Sequence, residues 1–340
     1  MTKQQQTAAE NAEQVVDVGV VGVGALGQHH ARIYAGLAGA RLAGVYDVDG
    51  ARACEVAARH GCRAFSSLAE LSGCCRAASV VVPTDLHFAV AGELLGAGLD
   101  LLVEKPLCDT VARAEELVAC AEASGRVLHV GHVERFNPVM EYLEAAVNRP
   151  RFIEAHRLST YPPSPAGGRP RGTEVGVVLD LMIHDLEVIL ELVRAPVAGL
   201  SAVGVPVLSP HEDIANARIE FGDGCVANVT ASRVSAERMR KIRVFQEGLY
   251  LSLDYGAQQG RLHRLSGGQI RVEDVPLGPK EPLRCELEVF VRAVIRGGGS
   301  DGRGVSGRRG LEALRLAARV TEAIRARAAR GPAGTGGGGE

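Results

Sequence analysis

The chain lacks most of the features that would carry it into a membrane or out of the cell. No stretch approaches the length and continuity of a transmembrane helix. Met1 to Gln14 are polar and without the apolar centre of a signal peptide. A cytoplasmic protein with no membrane partner is the resulting expectation. The eight cysteines include no C-x-x-C pair, so the common zinc and redox spacings are missing. Cys74 and Cys75 are adjacent, which is poor geometry for a metal or an ordinary disulfide, and reduced thiols are expected throughout. His129 and His132 are three apart but have no supporting carboxylate cluster, so no metal is expected. A surplus of one charge is missing too. The formal net charge of −2 gives no electrostatic case for nucleic acid or an anionic lipid surface.

What is present is enough apolar sequence for two domains: 340 residues, 46% hydrophobic and 23% charged. The first part alternates strand and helix. Strands are expected at Val15–Val23, Arg41–Tyr46, near Ala64, Ala78–Val82, Leu101–Val103 and Val127–Gly131. Helices are expected at Leu26–Leu37, Ala51–His60, Phe88–Ala97 and Ala112–Ser124. That repetition with short turns predicts an α/β Rossmann domain, a doubly wound parallel sheet, over 15–131.

After His132 the pattern changes. A helix at Asn137–Ala146, a strand at Phe152–Leu158 and a helix at Val177–Val193 lead into alternating runs from Ala198 to Val275. Helices at Glu286–Ile295 and Leu311–Arg327 follow. An α+β domain with an open, mainly antiparallel sheet is predicted over 132–330. The ends, 1–14 and the glycine-rich 331–340, are expected to be disordered.

Gly22-x-Gly24-x-x-Gly27 closes the first strand and opens the first helix. The glycines allow a tight turn, close approach of backbone to a pyrophosphate, and close helix–strand packing. Ala25 and Leu26 sit inside the loop, where the helix N-terminus offers N–H groups to phosphate. Asp47 ends the second strand, 47 − 27 = 20 residues past the last glycine. That is the position of the acid that binds the adenosine ribose. Asp47 could instead cap the next helix, a role open equally to Asp49. The carboxylate favours NAD over NADP, with Arg52 close enough to weaken the preference.

Glu104-Lys105-Pro106 closes the apolar run Leu101-Leu102-Val103. An ammonium beside a buried strand end is costly unless it is used, and strand ends are where such sheets bind ligands. Lys105 is therefore a candidate catalytic or orienting group. Asp180 and His184 are four apart and share a helix face. An imidazole can take a hydroxyl proton near neutrality, and a carboxylate can stabilise the imidazolium; Asp185 could serve as that carboxylate equally well. His87, after Thr84, and His132 fall near strand ends on the ligand side.

Gly22–Gly27, Pro83-Thr84…His87, Glu104-Lys105-Pro106 and Asp180…His184 together resemble the glucose–fructose oxidoreductase/inositol dehydrogenase/rhizopine catabolism (Gfo/Idh/MocA) family. The resemblance spans nearly the whole chain, including Gly310-Leu311-Glu312-Ala313-Leu314. It implies Lys105, Asp180 and His184 as the catalytic set, and Glu104, Thr84 and His87 near the nicotinamide or its ribose. It also implies homodimers or homotetramers assembled through the exposed sheet face. One departure is that family members often carry a glycine run before the Asp, where this chain keeps only Gly176.

Two stretches resemble a narrower branch associated with bacterial lipid A assembly, whose members oxidise the 3-hydroxyl of a UDP-N-acetylhexosamine. These are Gly131-His132-Val133-Glu134-Arg135-Phe136-Asn137-Pro138, and Phe152–Arg157 continuing through Arg171-Gly172-Thr173 to Val178–Asp185. His132, Arg135, Asn137, Arg157 and Arg171 thereby become substrate-side candidates. Arg169 and Arg233 are further guanidinium forks for a diphosphate. A dehydrogenase of free sugars or inositol-type polyols is the alternative reading, and a redox-silent NAD-binding sensor is the alternative of another class.

Overall fold

The computed structural model describes residues 14–161, 174–298 and 303–330. Apart from Gln14 and Tyr161, the expected disordered ends and the Pro/Gly-rich stretch before Glu174, with Arg169 and Arg171, lie outside them. The chain forms two compact units. One comprises Met1–Phe136 with Lys280–Glu312, the other Asn137–Pro279 with Ala313–Glu340.

The first unit holds a sheet of six parallel strands in the order β3-β2-β1-β4-β5-β6. These are β1 (Val16–Val21), β2 (Ala40–Tyr46), β3 (Arg63–Ala64), β4 (Ala77–Val80), β5 (Asp100–Glu104) and β6 (Leu128–Gly131). Between them run α1 (Gly27–Ala35), α2 (Gly50–His60), the short α3 (Leu68–Ser72), α4 (His87–Gly96) and α5 (Val111–Ala123). The middle strands are continuous runs of Val, Leu and Ala because helices cover both faces; β4 and β5 are buried at every position. Order reverses between β1 and β4, and the crevice at their carboxyl ends is the ligand position of such sheets.

In place of a second domain continuous over 132–330, the segment Lys280–Glu312 belongs to this first unit. Its helix α8 (Pro282–Ile295) buries Leu287, Phe290, Val291 and Val294 in one core with Val16, Val18, Ile33 and Tyr34. The amphipathic pattern of α8 announces a buried stripe but not which sheet will receive it.

The second unit contains α6 (Pro138–Ala146), β7 (Phe152–Leu158) and α7 (Ile183–Leu192). The strands β8 (Val197–Val205), β9 (Ile214–Phe221), β10 (Val226–Ser232), β11 (Met239–Gln246), β12 (Leu249–Asp254), β13 (Gln259–Ser266) and β14 (Gln269–Asp274) follow. Their order is β14-β13-β12-β11-β7-β10-β9-β8. Pairing is antiparallel except between β7 and β10. One face is buried: β9 alternates exposed and buried along its length. Ala215, Ala217, Ala227 and Val229 share one core with Ile183, Leu186 and Ile189 of α7. Small residues there let the helix approach the sheet closely. The helix α9 (Gly307–Ala329) adds Leu316, Ala317 and Val320 to this core. Among the described residues, no helix is long and apolar enough to cross a membrane.

Candidate active site

In the first unit the loop between β1 and α1 has no room for side chains at its ends. Gly22 has φ +82°, and a Cβ there would lie 2.5 Å from the Val81 carbonyl oxygen. A Cβ on Gly27 would lie 1.8 Å from the Gly22 carbonyl oxygen, while at Gly24 nothing lies within 4 Å. The loop is thus tight at both ends and open in the middle, where Gly24 and Ala25 are exposed and Leu26 is half-buried. This fits a dinucleotide pyrophosphate against backbone N–H groups.

The capping role that the sequence left open to both Asp47 and Asp49 falls to one of them. Asp49 caps α2, accepting from the Ala51 and Arg52 N–H groups at 3.1 Å each. Asp47 reaches back to the glycine loop, where Oδ2 accepts the Val23 N–H at 2.8 Å and Oδ1 accepts the Asp49 N–H at 3.0 Å. The guanidinium of Arg52 donates to the Val23 carbonyl at 3.0 Å, to Gln28 at 3.1 Å and to Glu55 at 2.7 Å.

A second cluster gathers at the ends of β4, β5 and β6. Glu104 is paired in register with Gly131 and is only 8% exposed. Its Oε1 lies 3.2 Å from His30 Nε2, and its Oε2 accepts the Lys105 backbone N–H at 3.2 Å. Burial pushes this carboxyl up, but the His30 hydrogen bond, the Lys105 charge and the Lys105 backbone N–H more than offset it, leaving it below its ordinary value. Lys105 is half-buried, and the Lys105–Pro106 peptide is cis. His132, 1% exposed, is pushed down to about 3, first by burial and then by the Lys105 charge.

His87 is buried at the start of α4, its Nδ1 2.8 Å from the Pro106 carbonyl and its Nε2 2.9 Å from the Val82 carbonyl. Burial lowers its pKa, and the two carbonyl contacts oppose that only partly. The ring therefore sits between the Pro106 and Val82 carbonyls and, when neutral, donates to one of them. Thr84 opens a short 3-10 turn beside it, half-buried.

In the second unit, Asp180 lies in a π-helical turn, Val178–Met182, that runs directly into α7, which carries His184. Such turns recur at functional sites because they re-aim side chains within a helix. Asp180 and His184 are half-buried while Val178, Met182, Ile183 and Asp185 are buried, so the first two share the outward side. Asp185 faces the sheet and is held by Arg157 of β7 through two hydrogen bonds of 2.9 and 3.0 Å. Upstream, Arg233 donates to Asp213 at 2.8 Å, to the Val175 carbonyl at 2.9 Å and to the Ser209 hydroxyl at 3.0 Å. Asp213 also accepts the N–H groups of Val207, Leu208 and Ser209. Burial raises its pKa, but these donors outweigh it and hold the carboxyl well below its ordinary range. Two buried ion pairs therefore bracket the turn.

The substrate-side candidates occupy several settings. Arg157 is spent on Asp185, and Arg233 on Asp213. Asn137 caps α6 through Val139 N–H at 3.2 Å and donates to the Tyr255 carbonyl at 3.1 Å. His132 is buried beside Lys105 and Arg135 is half-buried; Arg171 lies outside the described residues. The residue that sequence reasoning passed over is His30. Its signal was its place one turn beyond Gly27, on the side of α1 facing the sheet. No cluster of three or more metal-ligating side chains occurs among the described residues.

Comparison with known proteins finds relatives over most of the chain. Residues 16–132 match the GFO_IDH_MocA oxidoreductase family with NAD-binding Rossmann fold, and residues 144–248 match the GFO/IDH/MocA C-terminal domain. UDP-N-acetylglucosamine 3-dehydrogenase from Acidithiobacillus ferrooxidans is 38% identical over 302 residues, covering 87% of this chain and 94% of that protein. A solved structure of that enzyme superposes with a TM-score of 0.84 at 36% identity, covering 92% of this chain and 98% of the other. The scyllo-inositol 2-dehydrogenase (NAD(+)) of Bacillus subtilis is 27% identical over 241 residues, 66% of this chain and 69% of that one. With both of its characteristic domains matched, the chain belongs to the Gfo/Idh/MocA family of NAD-binding oxidoreductases.

Proposed function

We propose that this protein oxidises the 3-hydroxyl of a UDP-N-acetylhexosamine with NAD as hydride acceptor. The observation that carries this reading is the 38% identity to UDP-N-acetylglucosamine 3-dehydrogenase across 94% of that protein. NAD is preferred to NADP because the Asp47 carboxylate would repel a 2′-phosphate. The Arg52 charge is met by Glu55 and two further acceptors, so it does little to reverse that preference.

A secondary alcohol must lose a hydroxyl proton as its carbon loses hydride. NAD, when bound, takes the hydride, which no side chain can do. We assign the proton to His184, with Asp180 favouring the imidazolium that forms. Lys105 stabilises the charge that develops on the oxygen. Glu104 and Thr84 are assigned to the nicotinamide side, with His87 supporting the turn at Pro106. His132 is assigned to the substrate side, and Arg135 and Arg171 to the sugar diphosphate.

The protein is further proposed to be cytoplasmic, in keeping with eight cysteines that form no disulfide. Assembly into a homodimer or homotetramer is proposed through the open sheet face, where Phe245, Tyr250 and His263 stack with centroids 4.5 and 4.8 Å apart.

The test is NADH formation on incubation with NAD and UDP-N-acetylglucosamine. Lys105→Ala and His184→Ala should each abolish it while leaving NAD binding within about threefold. Turnover of inositol or a free hexose in its place would favour the polyol reading. Silence across a broad sugar panel with NAD still bound would favour the sensor.

A further inference from the structure

His30 has no part in the reaction as described so far, yet it is wholly buried in α1 with its Nε2 against a buried carboxylate. Its Nδ1 has no hydrogen-bond partner. A bare lone pair in an apolar setting costs less than a bare N–H, so the proton belongs on Nε2, donating to Glu104. The carboxylate has one seat. Its Oε2 takes the Lys105 backbone N–H at 3.2 Å, and beneath it a Cβ on Gly131 would come within 2.8 Å of Oε1. Glycine at 131 is what lets the carboxylate lie flat over β6.

Resting on the reaction proposed above, we infer that His30 is a positioning residue for Lys105, acting through the Glu104 carboxylate. The titratable groups around that carboxylate are His30 from α1, Lys105 beside it, His87 from α4 and His132 after β6. Burial drives His87 and His132 toward the neutral form. The His30 hydrogen bond and the Lys105 charge are then what keep Glu104 ionised inside the fold. An ionised Glu104 fixes the backbone and charge of Lys105 at the strand end. A protonated Glu104 would release both.

Methionine and glutamine provide the test, because they have similar length but only glutamine carries a donor that reaches as far as Nε2. His30→Met should lower kcat about tenfold or more with NAD affinity nearly unchanged, and should move the acid limb of the kcat profile up by about one pH unit. His30→Gln should restore most of kcat and return the limb. In the Glu104→Gln background, where no carboxylate lies against residue 30, His30→Met should cause no further fall; this comparison also serves if His30→Met alone does not fold. A parent-like pH profile in His30→Met overturns the inference, as does a further drop in the Glu104→Gln background or equal loss of NAD binding and kcat.

A second measurement needs no substrate. The 13C resonance of the Glu104 carboxyl, assigned with Glu104→Gln, should titrate about one pH unit higher in His30→Met than in the parent. An unmoved titration overturns the inference whatever the enzyme turns over. Absence of sugar oxidation by the parent, with the carboxyl shift present, overturns the proposed reaction alone.

Discussion

The phosphate-side turn of the first unit and the Asp180–His184 turn of the second are both short, but different forces hold them. At Gly22–Gly27 the fixing is mainly steric. A Cβ at either end would collide with backbone, and a carboxylate 24 residues on pins the Val23 N–H. Around Asp180 the fixing is electrostatic. Arg157 holds Asp185 from β7, and Arg233 draws Asp213 and the Val175 carbonyl together. A loop that must admit a ligand to its backbone cannot spend side chains on its own support. A helix with two polar side chains on its outward side can be anchored by charges on its hidden side.

Breaking each kind of support should therefore do different damage. Arg157→Ala leaves the Asp185 carboxylate buried without its partner and should cost about 3–5 kcal/mol in urea unfolding. Replacing both residues, Arg157→Met with Asp185→Leu, should recover most of that stability. In the first unit, Gly27→Ala should weaken NAD binding about a hundredfold, close to 2.7 kcal/mol by calorimetry. Stability of the second unit should be unaffected.

A pH effect separates the units further. His132 has a folded pKa near 3 against an ordinary 6.5, so as pH falls the unfolded chain takes the proton first. The contribution is fully present above 6.5 and is lost progressively toward 3. Relative to His132→Asn, the parent should lose roughly 1–2 kcal/mol on going down to about pH 5, measured by thermal unfolding. The smallest effect is on cofactor choice. Asp47→Ser removes the repulsion toward a 2′-phosphate and should shift the NAD-to-NADP ratio of kcat/KM about tenfold toward NADP. An unchanged ratio would mean that the carboxylate serves the glycine loop alone and takes no part in selection.

Much of this was legible along the chain. The strand–helix alternation predicts the parallel sheet nearly element by element, because period and turn residues are local properties. The π turn was not legible: Val177–Val193 reads as one helix, and its widening at Val178–Met182 depends on how the turn is anchored from outside. Arg157, Arg233 and Asn137 read along the chain as substrate-side candidates, with ion pairing the alternative for the arginines. Each is engaged with a protein partner in the fold, because a polar side chain taken from water must be matched wherever it ends up.

The sequence by itself determined the nucleotide cradle, since glycines and an acid at set spacing act through backbone geometry within one strand–helix–strand segment. Tertiary structure alone decided that His30 would meet Glu104, 74 residues away, and that Asp185 would be claimed by Arg157 at a separation of 28. It also gave α8 to the first unit. Periodicity specifies which face of an element is buried, but the partner on the other side is chosen by packing the whole chain.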